Sequence, residues 1–270
     1  MFDGLNAVQP IDRRARAQPA LVPAVTRALA LLDRLAEARQ PLPLARLASG
    51  LELPKSSVHG LCATLLALGY LRRHADGSFS IGPRVMGLAD AFIAGTGVTQ
   101  EFAALWAEAG EVPDETVVLA ILNGADVVYV ATRSGQRPLG LSFNIGMRLP
   151  AYLAASGKAM LAHLSEGALH ALLGGAELAP MAQREGPGFE ALRAELAQVR
   201  ERGYSVDDEG VREGVYCIGA PVFDGRGDVV AGIGMCLQKS PRHVAARDAQ
   251  RRHVIDVAAR LTQRLGGKPL

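Results

Sequence analysis

The sequence predicts an α+β protein in two parts, a small helical module closed by a hairpin and a larger antiparallel sheet flanked by helices. Three observations predict it. The first third runs helix, short helix, turn, helix, hairpin. The last part alternates turn-bounded strands with amphipathic helices, the pattern of an α+β sheet rather than a doubly wound one. Between them lies a helical stretch interrupted by Gly95 and Gly97.

At 270 residues the chain accommodates two domains, each with its own core. With 49% apolar and 21% charged residues it falls among globular sequences, far from disordered ones. Arg27, Asp33 and Asp90 break the longest apolar stretches, so no membrane span is expected. Residues 1–21 place Arg13, Arg14 and Arg16 after no apolar run, which predicts a disordered arm of a cytoplasmic protein and not a secretory signal. Cys62, Cys217 and Cys236 lie far apart and form no C-x-x-C pair, arguing against a disulfide framework or zinc cluster. Before Val98 eleven Lys/Arg stand against seven Asp/Glu, and from there on eighteen against twenty. That basic excess suits an acidic partner such as nucleic acid, and equally suits a chance surface asymmetry.

Val25, Leu29, Leu32 and Leu35 recur at helical spacing between Pro23 and Ala38 and predict an amphipathic first helix. After Pro41 and Pro43, Leu44 to Ser49 forms a short second helix, and Gly50 a turn. A third helix opens at Pro54, where a missing N–H costs nothing, and Gly69 is placed to cap it. Val58, Leu61, Cys62 and Leu65 make its core stripe. The opposite side carries Ser56, Ser57, His59, Gly60, Ala63, Thr64 and Ala67, with Lys55 in the first turn and no carboxylate from Pro54 to Leu68. A helix that lies against phosphates excludes acids and keeps small residues where its backbone meets a groove. Gly60 costs about 1 kcal/mol against Ala in a helix interior, which implies a steric reason or a tolerated defect. Tyr70 to Ile81 reads as two short strands around Asp76-Gly77, a wing carrying Arg72, Arg73 and His74. Together these elements predict a winged helix-turn-helix that binds DNA through Lys55, Ser56, Ser57, His59, Gly60, Arg72 and Arg73. A protein-docking module is the alternative.

Apolar positions Val85, Leu88, Ala89 and Phe92 predict a linker helix from Pro83 to Ala94, and Thr99 to Ala109 a further helix. Their surplus apolar faces suggest packing between subunits, or onto their own domain. Thr116 to Leu122 and Asp126 to Thr132 form a hairpin about Asn123-Gly124, and Leu139 to Phe143 adds a strand. Tyr152 to Leu164 is expected to be a helix, as is Phe189 to Arg202 ending at Gly203. Strands Tyr216 to Phe223 and Val229 to Leu237 flank Asp224-Gly225-Arg226-Gly227, and Ala246 to Leu265 closes the chain as a helix.

Enzyme chemistry finds little footing. Ser156-Gly157-Lys158-Ala159 lacks the earlier glycine and following hydroxyl of a phosphate loop. Gly232-Ile233-Gly234 lacks a third glycine and is read as a closely packed strand. Asp207, Asp208 and Glu209 are expected to form a solvated acidic turn. No nucleophile has an evident base, so no catalytic residue, metal or cofactor is expected.

The chain resembles the IclR family of transcriptional regulators. The resemblance is carried by Leu53-Pro54-Lys55-Ser56-Ser57-Val58-His59, Leu68-Gly69-Tyr70-Leu71, Leu149-Pro150 with Gly157-Lys158-Ala159, Arg202 to Glu209, and Gly214 to Pro221. The chain is expected to divide into a disordered arm over 1–21, a winged helix-turn-helix over 22–82, a linker helix over 83–98 and, as the resemblance implies, a GAF-like effector domain over 99–270. The resemblance further implies homodimers or homotetramers, a small-molecule effector and control of catabolic or stress genes; a dimer is expected to read a pseudo-palindromic double-stranded operator, and asymmetric contacts with RNA polymerase would make the same fold an activator. The implied effector pocket comprises Leu141, Ala155, Ser156, Asp207, Cys217, Gly234 and Cys236. Backbone N–H groups at a helix start suit a carboxylate, so a small organic acid is the expected effector. Gly60 stands where relatives often carry Arg. Gly234 and Cys236 stand where some carry hydroxyls, which favours a more apolar or aromatic acid over a small oxoacid.

Overall fold

The computed structural model describes residues 21–95, 97–109, 113–135, 143–182 and 186–270. The arm apart from Leu21, and the strand expected over 139–143 apart from its last residue, Leu141 included, lie outside them. The described chain forms two compact units, one ending at Gly95 and one following it.

In the first unit, α1 (Pro23–Ala38), α2 (Leu44–Gly50) and α3 (Lys55–Ala67) precede a hairpin of β1 (Leu71–Arg73) and β2 (Phe79–Ile81). Its core gathers Leu31, Leu35, Leu47, Val58, Cys62, Leu65, Leu71 and Phe79. The expected stripe of α1 is corrected: Leu31 and Leu35 are buried, whereas Val25 and Leu29 are more than half exposed. Burial follows the side of α1 that meets α3 and β2, and a four-residue spacing in the sequence cannot choose between adjacent stripes. Gly69 ends α3 at φ +78°, with Tyr70 N–H donating to the Leu65 carbonyl, an ending that suits glycine. The unit ends in α4 (Arg84–Gly95).

The second unit opens with α5 (Gly97–Ala109) and builds one antiparallel sheet. Its strands are β3 (Thr116–Asn123), β4 (Asp126–Arg133), β5 (Arg148–Pro150), β6 (Ser205–Asp208), β7 (Val215–Phe223) and β8 (Val229–Gln238), in the order β5-β4-β3-β8-β7-β6. Because side chains alternate across a strand, each face has its own helices. Val117, Leu119, Ile218, Ile233, Met235 and Leu237 pack with α5 and α9 (Pro241–Arg264). Arg264 ties these helices together through Glu101 and Glu108 at 2.7 and 2.8 Å. On the other face, Val118, Ala120, Val127 and Tyr129 share a core with α6 (Ala155–Leu161), α7 (Glu166–Leu173) and α8 (Phe189–Arg202).

The helix expected over Tyr152 to Leu164 is corrected to a turn at 151–153, the seven-residue α6 and, after Ser165, the separate α7. Ser165 caps α7 by accepting from Ala168 N–H at 3.2 Å, a start signal inside an otherwise uniform apolar run. The acidic turn at Asp207 and Asp208 is likewise corrected to β6, paired with β7. Two acids in a row look solvent-borne by composition, but strand alternation sends Asp207 inward and Asp208 outward. No described helix is long and apolar enough to cross a membrane.

Candidate functional site

Two surfaces gather the predicted residues. On the first unit, Lys55, Ser56, Ser57, His59 and Gly60 are all exposed along α3, opposite the buried Val58, Cys62 and Leu65. Arg72, Arg73 and His74 are exposed on the adjoining wing. The wing tip is held by Asp76, whose Oδ1 accepts from Ser78 N–H at 2.9 Å and Ser78 Oγ–H at 2.6 Å. These bonds hold the Asp76 carboxyl below its usual range, and the fixed turn follows β1, on which Arg72 is exposed and the Arg73 guanidinium lies 5.9 Å over the Phe79 ring. A side-chain carbon built on Gly60 meets nothing within 4 Å. Packing inside the chain therefore does not demand glycine there, and any steric demand must come from a partner laid against α3.

The second surface is a cavity of about 70 Å3 between the sheet and α6. It exists because the helix sits almost on the strands: side-chain carbons at Gly219 and Gly232 would collide with backbone atoms of Ala155 and Ser156. The Gly232-Ile233-Gly234 run is thus a packing device. The Ser205 hydroxyl locks the junction, donating to the Ala155 carbonyl at 2.5 Å. Ala155, Ser156, Asp207, Cys217, Gly234 and Cys236, six of the seven predicted effector positions, line the cavity together.

Sequence reasoning missed the wall that completes it. Tyr129, Phe143, Met147 and Leu149 form an apolar side, with the Tyr129 and Phe143 rings 6.3 Å apart. Inward alternation along β4 is the signal that would have found Tyr129. Arg212 also lines the cavity, as the one basic side chain among its described lining residues, and nothing in its loop sequence marks it.

Asp207 is 3% exposed, and its burial pushes the carboxyl up to about 6. The rise is limited by Gly210 N–H, which donates to Oδ1 at 2.7 Å, and by the Lys158 charge. Lys158 is itself committed to Glu195 of α8 at 2.6 Å. Burial raises Tyr129 in the same direction, with Cys236, Cys217 and Asp207 adding to it. Cys217 and Cys236, far apart in sequence, face each other in register on β7 and β8 with their sulfurs 3.0 Å apart. No group of three or more metal-binding side chains gathers among the described residues.

Comparison with known proteins matches both units. Residues 24–75 match the IclR helix-turn-helix domain, and residues 93–263 match the family described as Bacterial transcriptional regulator IclR C-terminal. The HTH-type transcriptional regulator XynR of Escherichia coli is 30% identical over 80% of this chain and 86% of its own. The Agrobacterium tumefaciens repressor BlcR is 37% identical, with a TM-score of 0.56 over 92% of this chain and 98% of that one. An IclR homologue from Microbacterium hydrocarbonoxydans complexed with 4-hydroxybenzoate shares the fold at a TM-score of 0.73 and 19% identity, over 90% and 98% of the two chains.

Proposed function

The chain belongs to the IclR family of transcriptional regulators, DNA-binding proteins and not enzymes, and we propose that it regulates a catabolic operon as an effector-controlled dimer or tetramer. Two α3 helices enter successive major-groove faces of a pseudo-palindromic operator, with Ser56, Ser57, His59 and Gly60 against base edges and Lys55 on phosphate. The wing arginines Arg72 and Arg73 fix register on the backbone. The observation that carries this is the acid-free, wholly exposed face of α3 beside a basic wing. In this reading the arm spans 1–21, the reader 22–82, the linker 83–98 and the effector domain 99–270, working in the cytoplasm beside DNA. Pairing uses the exposed apolar side chains Val25 and Leu29 of α1 and Met86, Leu88 and Phe92 of α4. In an activating arrangement the same fold makes asymmetric contacts with RNA polymerase.

The effector is a small aromatic acid. A cavity of about 70 Å3 is far too small for a nucleotide, and a single ring enters it with some widening of the wall, since benzene alone occupies a cavity of about 150 Å3. Tyr129 and Phe143 supply an apolar wall, while Ser156, Asp207 and Arg212 offer polar ends. The 4-hydroxybenzoate held by the Microbacterium homologue supports the choice. Effector control requires unequal affinity for the DNA-gripping and released arrangements.

Selection of genomic fragments by the purified protein, followed by salt titration of the winners, tests the operator. A shared inverted repeat with a steep salt slope is expected; no enrichment at low salt from folded oligomer points instead to a protein-docking module. Calorimetry with 4-hydroxybenzoate, glyoxylate and pyruvate tests the effector class. Tighter binding of either oxoacid overturns the aromatic assignment.

A further inference from the structure

We propose that Cys217 and Cys236 form a redox-modification site, a dithiol in the cavity wall that closes to an intrachain disulfide and is shielded when the cavity is occupied. Three geometric facts carry it. The two residues are direct partners in the β7–β8 register. Such partners have Cα atoms about 4.5–5.5 Å apart, inside the range of about 4.4–6.8 Å that disulfides span. Their sulfurs are unbonded and 3.0 Å apart, so closure takes about 1 Å of side-chain movement with the strands left in place. Both line the cavity, whereas Cys62 is buried in the core of the other unit. A small oxidant that enters the cavity reaches the pair and not Cys62.

The surroundings decide the character of the site. The hydrogen bond to Cys236, burial and the nearby Asp207 carboxylate all hold the Cys217 thiol above its ordinary range, so Cys217 is not a ready thiolate. What the pair has is proximity. With hydrogen peroxide, the thiolate formed by loss of one proton attacks a peroxide oxygen, breaking the O–O bond and releasing hydroxide, which takes that proton to become water. The resulting sulfenic acid is then attacked by the second sulfur, forming S–S and expelling hydroxide that leaves as water with the second thiol proton. Two thiols lose two electrons and two protons, and one peroxide becomes two waters. The second step outruns further oxidation because its partner is already in place.

The shielding half of the proposal rests on the aromatic-acid reading, and the disulfide half does not. The test exposes full-length reduced protein to hydrogen peroxide and maps peptides without reduction. Peptides carrying Cys217 and Cys236 should appear joined, with Cys62 still a thiol, and neither Cys217→Ser nor Cys236→Ser should yield the link. Over-oxidation of either residue without the link, or prior oxidation of Cys62, overturns the site. With 4-hydroxybenzoate at about ten times its calorimetric Kd, the unoccupied fraction and the closure rate should both fall about tenfold. An unchanged rate with binding confirmed by calorimetry overturns the shielding alone. Absence of binding removes the aromatic reading and leaves the disulfide standing on its own mapping.

Discussion

Asp207 concentrates the chemistry of the cavity. Its carboxyl titrates at about 6 in the folded chain, above the ordinary 3.8, because burial penalises the charged form. The folded state therefore holds this proton more tightly than the unfolded state. Stability contributed by protonation is present below about pH 4 and is lost as pH rises towards 6, at a cost of about 3 kcal/mol at most. Asp207→Asn keeps an oxygen for the Gly210 N–H and removes the charge. Denaturant melts should show the variant more stable than wild type at neutral pH and less dependent on pH between about 4 and 6. Equal curves for the two proteins would mean that Asp207 titrates normally. A ligand carboxylate in the same cavity raises the Asp207 pKa further, so effector binding takes up protons. Calorimetry near neutral pH in buffers of different ionisation heats should then give different apparent enthalpies, and identical ones would place the ligand charge away from Asp207. Of this site the residue types Ala155, Ser156, Asp207, Cys217, Gly234 and Cys236 were legible through the family pattern, while Tyr129 and Arg212 were not. A tyrosine among valines in β4 looks like ordinary core until its face is known, and Arg212 looks like ordinary surface.

Among the elements, α3 makes the sharpest demands. Lys55→Ala should weaken binding to every DNA sequence and flatten the salt slope by about 0.9, the share of one phosphate. Ser57→Ala and His59→Ala should instead change the preference among sequences. The same loss on all sequences for the three variants would defeat that division of labour. Gly60→Ala meets open space inside the chain, so it should stabilise the free protein by up to about 1 kcal/mol while weakening operator binding where the helix backbone meets the groove. A stabilised variant with unchanged DNA affinity would show that the glycine serves no contact. The apolar and turn signals of this unit marked its helices and hairpin closely because each was local: prolines, a glycine cap and an Asp-Gly turn. The sequence failed at α6 and β6. There the decisive event is a helix settling onto strand glycines, Gly219 against Ala155 and Gly232 against Ser156, contacts between segments 64 and 76 residues apart in the chain.

Over the whole molecule, Val25, Leu29, Met86, Leu88 and Phe92 are apolar side chains about half exposed or more on the first unit. Leu29→Glu and Phe92→Glu should shift the protein towards monomer in sedimentation and lower its affinity for a two-half-site operator more than for a single half-site. Wild-type oligomer size in both variants would assign pairing to another surface. By itself the sequence determined the two-part α+β architecture, the acid-free helix face and the basic wing, because periodicity, turn residues and charge act over a few positions at a time, while the family was legible as a resemblance carried by its motifs. Only the tertiary structure decided which stripe of α1 is buried, that Asp207 points inward from a strand, and that two distant cysteines lie 3.0 Å apart in one cavity. The register of β7 on β8 and the seat of α6 on the sheet are contacts between remote segments, and no local pattern specifies which remote segment a given face will meet.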